Sequence, residues 1–188
     1  MKNIITLFTI LLVVTSCKTD KKTNQGETFK EEAQKPHIDN KKENLSTTYY
    51  LIRHAEKDLS DPTNRNPDLT KEGEARAIQW KDFFKDKNID AVYSTNYIRT
   101  MRTAEPTAKA NNLEIINYNP SALNDSTFVK ETMGKNVVVV GHSNTTPNFA
   151  NAILKTKEAP EIDESDYGNV YIVTLKGDQA TFTFQHFD

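Results

Sequence analysis

From Thr48 onward, short β-rich apolar runs alternate with segments in which apolar residues recur every three or four positions, and this alternation restricts the fold more than any other feature. Tyr49-Tyr50-Leu51-Ile52 opens the series, and Val137–Val140 is four consecutive valines. Unbroken apolar runs of this length suit strands covered on both faces. Asp90-Ala91-Val92-Tyr93-Ser94 and Leu113–Tyr118 read as further strands. Between them, Thr70 caps a helix in which Ala77, Trp80 and Phe84 share one face. A second helix runs from about Tyr97 to Ala110, and a third starts near Pro147, proline being favoured in a first turn. Tyr167–Leu175 and Ala180–Phe187 read as a hairpin turning at residues 176–179. The expected fold is α/β: a three-layer sandwich with a mostly parallel central sheet and a C-terminal β-hairpin.

The first 47 residues have another texture. Lys2 precedes an apolar stretch, Ile4–Val14, too short to span a bilayer as a helix but fitting a secretory segment. It ends in Val14-Thr15-Ser16-Cys17, which resembles a bacterial lipobox. Residues 1–17 are therefore expected to be a lipoprotein signal peptide, with Cys17 lipidated and the protein anchored to a bacterial membrane in the cell envelope. The alternative is a buried first helix in which Cys17 is merely a small hydrophobe. Residues 18–47 hold seven lysines and six acidic residues, with Phe29, Ile38 and Leu45 the large apolar side chains. Such a segment buries too little to offset ordering entropy, so it is expected to be a disordered charged tether ahead of a catalytic domain at 48–188.

Charge and cysteine content exclude several functions. Twenty-four basic against 26 acidic residues give −2, so no global field recruits nucleic acid. The single cysteine leaves no internal disulfide, zinc knuckle or dithiol pair. The six glycines match no Gly-rich nucleotide cradle. Any anion site must be local.

In open α/β sheets, ligands bind beyond the carboxyl ends of the strands. Three expected strands end there in polar segments: Arg53-His54, Ser94 through Arg99, and Gly141-His142-Ser143. Two arginines and two histidines should converge. Planar guanidinium groups match the oxygens of a phosphoryl group bidentately. A neutral imidazole can attack phosphorus to give a phosphohistidine that water hydrolyses, while a second histidine, if protonated, stabilises the equatorial oxygens through its N–H donors. These four side chains suffice for phosphomonoester hydrolysis with no cofactor. A metal site is disfavoured, because His54 and His142 lack ligands at a recognisable spacing and the arginines would repel a cation.

Four segments carry a family resemblance: Leu51-Ile52-Arg53-His54-Ala55-Glu56-Lys57, Asp68-Leu69-Thr70-Lys71-Glu72-Gly73, Val92 through Ala104, and Val140-Gly141-His142-Ser143. In this order they resemble the signature motifs of the histidine phosphatase superfamily, the phosphoglycerate mutase-like proteins. The resemblance implies a phosphoglycerate mutase-like fold and a phosphatase acting through a phosphohistidine. It makes His54 the nucleophile and Arg53, Arg99 and His142 the phosphate pocket. Asn96 and Arg102 stand where the family often has proline and glutamine, and no counterpart of the mutases' proton-donating glutamate lies between Ala110 and Asn136. The chain thus looks like the compact members, acting on small phosphorylated substrates or phosphorylated protein side chains. A non-catalytic binder of phosphorylated ligands is the alternative.

The proton donor must be sought elsewhere. Asp125 lies in a polar patch after the Leu113–Tyr118 strand and is the leading candidate, although Asn124-Asp125-Ser126 also reads as a turn or helix cap. Glu56 is the next candidate, but a local pair with Lys57 is the simpler reading. Arg102, three residues beyond Arg99, reaches the same phosphate or pairs with Glu105. His186 is expected to be structural. Ser143 lacks the Gly-x-Ser-x-Gly elbow of a serine hydrolase.

Overall fold

The computed structural model describes residues 45–187. The signal segment 1–17, its Cys17 and residues 18–44 of the expected tether lie outside the described residues.

Six strands and four helices follow one another among the described residues: β1 (Ser46–Arg53), α1 (Lys71–Phe84), β2 (Ala91–Ser94), α2 (Ile98–Ala110), β3 (Ile115–Asn117), α3 (Ser126–Thr132), β4 (Asn136–Gly141), α4 (Thr145–Leu154), β5 (Asn169–Lys176) and β6 (Gln179–His186). The strands form one sheet in the order β3-β2-β4-β1-β5-β6. The first four are mutually parallel, while β5 runs antiparallel to β1 and β6 antiparallel to β5. The α/β class, the mostly parallel sheet and the closing hairpin therefore stand as expected. β1 begins two residues before Thr48. Thr47 already pairs with Leu175, and its hydroxyl accepts the Gly134 amide at 2.8 Å.

The valine run shows how the sequence specifies the layers. Val137 and Val139 pack with Phe128, Phe149 and Ile153 beneath α3 and α4. Val138 and Val140 pack with Trp80, Phe84 and Ala104 beneath α1 and α2. Alternate side chains of a strand face opposite sides, so β4 must be apolar throughout. Burying each of these side chains contributes on the order of 1.5–3 kcal/mol.

The connections fix where the sheet can bind something. α1, which follows β1, covers one face, whereas α4, which follows β4, covers the other. β1 and β4 are neighbours. The crevice at their carboxyl ends is thus the point where the winding reverses, the usual place for a ligand in an open α/β sheet. Arg53 ends β1 and Gly141 ends β4, in register with each other.

Candidate active site

The two ends are tied directly, because the His54 amide donates to the Gly141 carbonyl at 2.9 Å. Next to it, the Ala55 amide donates to the Thr103 hydroxyl at 2.9 Å, and that hydroxyl donates to the Arg99 carbonyl at 2.7 Å. The loop leaving β1 is therefore pinned to the turn of α2 that carries Arg99. His142 follows β4 at once, its amide donating to Thr145 Oγ1 at 2.9 Å. The structure brings Arg53, His54, Arg99 and His142 together.

His54 is 2% exposed. Its Nδ1 lies 2.8 Å from the Ala55 carbonyl, which can only accept. The proton therefore sits on Nδ1 and Nε2 carries a lone pair. Burial pushes the ring down to about 3, aided by the Arg99 and Arg53 charges and His142, against the opposing bond to Ala55. His54 is neutral at physiological pH. The His142 ring centroid lies 5.4 Å away. Burial, then Arg99 and Arg53, lower His142 to about 4, so it too is neutral at physiological pH.

Both arginines are held with donors to spare. Arg53, 1% exposed, donates through Nη1 to the carbonyls of Asp163, Glu164 and Asp166 at 2.8–3.1 Å, and through Nη2 to Glu164 Oε2 at 2.9 Å. Its guanidinium lies 4.1 Å from the centroid of the Tyr167 ring. Arg99 lies 4.6 Å over the Tyr97 ring. Arg53 Nε and Arg99 Nε and Nη1 are buried with no protein partner among the described residues. Unpartnered buried donors of charged groups are costly, and an anion would satisfy them. Two cationic guanidinium groups beside two neutral imidazoles make a cradle for a tetrahedral oxyanion. The Glu164 carboxylate lies beside it, bonded through Oε1 to Ser143 and through Oε2 to Arg53.

The other expected site residues lie elsewhere. Asp125 is the N-cap of α3, its Oδ1 accepting the Phe128 amide at 2.8 Å, and it lines a cavity of about 170 Å³ that contains neither histidine. It is a capping residue, and among the described residues no hydrogen bond or ion pair joins it to His54 or His142. Glu56 pairs with Arg76 at 2.7 Å rather than with Lys57. Arg102 turns away from the cradle to Glu74 at 2.8 Å and Asp68 at 3.4 Å, so it takes neither of the two expected partners. His186 Nδ1 lies 2.9 Å from Asn169 Oδ1 within the hairpin region.

Tyr167, Glu164 and Thr95 were not anticipated. The first two come from the long connection between α4 and β5, which carries no motif. Thr95 lies within the third of the four motif segments, so a signal for it existed. Among the described residues, no three His, Cys, Asp or Glu side chains are gathered to hold a metal ion.

Residues 49–119 match the family model described as the histidine phosphatase superfamily (branch 1). No curated protein matches the chain. Among solved structures, the protein histidine phosphatase SixA complexed with tungstate aligns with a TM-score of 0.57 at 18% identity, covering 74% of this chain and 96% of its own. Phosphoserine phosphatase from Entamoeba histolytica in complex with 3-phosphoglyceric acid gives 0.58 at 16% identity, covering 76% and 98%. A mycobacterial glucosyl-3-phosphoglycerate phosphatase complexed with VO3 gives 0.56 at 11%, covering 76% and 99%. At these identities the likeness is one of fold, and the fold is the phosphoglycerate mutase-like one anticipated from the motifs.

Proposed function

With the histidine phosphatase signature in residues 49–119 and the corresponding fold as premise, we propose that the protein is a metal-independent phosphomonoesterase working through a covalent phosphohistidine. The observation that carries this reading is the state of His54: Nδ1 is committed to the Ala55 carbonyl, the ring is neutral, and Nε2 keeps its lone pair beside buried arginine donors without partners.

In the proposed reaction, Arg53 and Arg99 bind the phosphoryl oxygens. His54 Nε2 attacks phosphorus as the bond to the leaving oxygen breaks, and that oxygen takes up a proton. Water then attacks the phosphohistidine, releasing phosphate and restoring the ring. Neutralising the transferred oxygens by fixed guanidinium groups is the main catalytic contribution expected of such a site. The substrate is a small phosphomonoester or a phosphorylated side chain, since the names of the similar structures span protein phosphohistidine, phosphoserine and a phosphorylated glycerate. If Cys17 is lipidated, the reaction takes place in the cell envelope, and loss of lipid labelling in Cys17→Ser would establish the anchor.

The test compares the purified protein with its His54→Ala variant on p-nitrophenyl phosphate, with and without EDTA. Hydrolysis that is insensitive to EDTA and lost in His54→Ala is expected, with an acid-labile phosphoryl group trapped on His54 after rapid denaturation. Undiminished turnover in His54→Ala would overturn the mechanism.

A further inference from the structure

Proton accounting at His142 leads to a residue that the proposed reaction has not used. Arg99 Nη2 lies 3.5 Å from His142 Nδ1, and a guanidinium can only donate. The lone pair is therefore on Nδ1, facing the cradle, and the ring proton is on Nε2. That proton points at Thr95 Oγ1, 3.1 Å away. The Thr95 hydroxyl hydrogen is already committed to Thr100 Oγ1 at 3.0 Å. Thr100 in turn gives its own hydrogen to the carbonyl of Thr95 at 2.7 Å or of Tyr97 at 2.9 Å. Thr95 and Thr100 are both completely buried, so water does not compete for these bonds. Every donor along the chain points one way, from the ring to the backbone, and Thr95 can offer His142 only an acceptor.

We infer that Thr95, oriented by Thr100, is a positioning residue that fixes His142 in the tautomer with an unprotonated Nδ1 on the side of Arg99 and the phosphoryl group. The tautomer follows from the hydrogen bonds alone, whereas its chemical consequence rests on the phosphatase reading. A phosphomonoester monoanion arrives with one acidic proton. The flanking guanidinium charges disfavour a lasting imidazolium, so the ring relays that proton through Nδ1 only as the bond from phosphorus to the leaving oxygen breaks, anchored throughout by Nε2–H to Thr95. Nδ1 returns the same proton to that oxygen. The proton balance closes with no carboxylic acid: Asp125 caps α3 and Glu56 pairs with Arg76. With the opposite tautomer, Nδ1 would already carry a hydrogen and could not receive the substrate's proton.

The test has one readout that needs no turnover and one that does. Nitrogen-15 NMR of the His142 ring, assigned by comparison with His142→Gln, should show a protonated Nε2 and an unprotonated Nδ1 in the wild-type protein at pH 7. Thr95→Val, nearly isosteric but without an acceptor, should show a mixture of tautomers. It should also slow alkyl phosphates about 10-fold or more, with a much smaller effect on p-nitrophenyl phosphate, whose leaving group needs little protonation. Thr95→Ser should restore the single tautomer and bring alkyl rates within about 3-fold of wild type. Thr100→Val leaves the Thr95 acceptor in place but frees its hydrogen, so it should also yield mixed tautomers and serves should Thr95→Val not fold.

A wild-type ring protonated on Nδ1 would overturn the inference. So would equal slowing of both substrate types in Thr95→Val, because a merely structural defect does not sort substrates by leaving group. Expected tautomers in a protein that hydrolyses nothing would support the positioning and instead defeat the phosphatase reading.

Discussion

Gly73 offers a test in which two opposing magnitudes must be weighed. It lies in the first turn of α1, where its amide is capped by Thr70 Oγ1 at 3.1 Å. A Cβ at this position would sit 2.2 Å from the Glu56 carbonyl oxygen and 3.1 Å from the Glu56 nitrogen and carbonyl carbon. These are backbone atoms, so no side chain can swing aside. Helix and loop must part by about 1 Å, an overpacking cost of about 1–3 kcal/mol. The Glu56 carbonyl also accepts the Thr70 amide at 2.9 Å, a bond worth about 1 kcal/mol that the separation strains. Against this, alanine gains about 1 kcal/mol over glycine in helix propensity. Gly73→Ala is therefore expected to destabilise by about 1–3 kcal/mol, a fall in melting temperature of roughly 3–10 °C for a domain of this size. Ala75→Gly, at an exposed position of the same helix, isolates the propensity term and should cost about 1 kcal/mol. Activity should suffer as well, since the displaced loop includes the Ala55 carbonyl that holds His54. A misplacement of this order costs up to about 100-fold in rate. Circular dichroism melts with parallel p-nitrophenyl phosphate assays decide the matter. A Gly73→Ala protein that melts at or above the wild-type temperature would show that propensity outweighs the clash and refute the packing argument.

Three further outcomes are expected. His54 and His142 are held near 3 and 4, below the ordinary value of about 6.5, so between these values the unfolded chain binds more protons. Their stabilising contribution is complete above pH 6.5 and lost as pH falls toward 4. The loss between pH 6.5 and 5 is at most about 2 kcal/mol per ring and less for the more exposed His142, so a urea midpoint that does not drop over this range would contradict the assignment. Glu164→Gln removes the carboxylate that meets Arg53 and Ser143. Because that side chain is largely exposed, phosphate inhibition should strengthen only about 2- to 5-fold, and weaker inhibition would count against Glu164 as a competitor of the substrate. Asp125→Ala should cost about 1 kcal/mol as a lost helix cap, whereas Asp125→Asn, also a good cap, should leave stability and rates nearly unchanged. Selective slowing of alkyl phosphates in Asp125→Asn would instead restore Asp125 as the proton donor.

The parts of the site legible in the sequence are those that the backbone alone positions. Arg53, Arg99 and His142 each lie at or just beyond the carboxyl end of a parallel strand, so recognising β1, β2 and β4 was enough to bring them together with His54. Asp125 was singled out because its loop does follow a parallel strand, whereas its role as cap of α3 was hard to read, since seven residues are too few to display a helical period. Glu56 and Lys57 are adjacent in sequence, yet adjacent residues on extended chain point to opposite sides. Glu56 instead meets Arg76, twenty residues away on α1. Arg102 lies three residues from Arg99, but the packing of α2 against α1 puts Glu74 within its reach first.

The grip on Arg53 was the least legible part, for a general reason. Three of its four oxygen partners are main-chain carbonyls of residues 163–166, and a carbonyl has the same chemistry whatever side chain it carries. What the sequence of that loop does specify is its shape. Asp163 Oδ1 accepts from the Ser165 amide and hydroxyl, and Asp166 accepts from Gly168 and Asn169. These short-range bonds turn the chain so that successive carbonyls point inward. Reading Asp163, Ser165 and Asp166 only as surface polar residues misses that they shape the socket in which the first arginine sits.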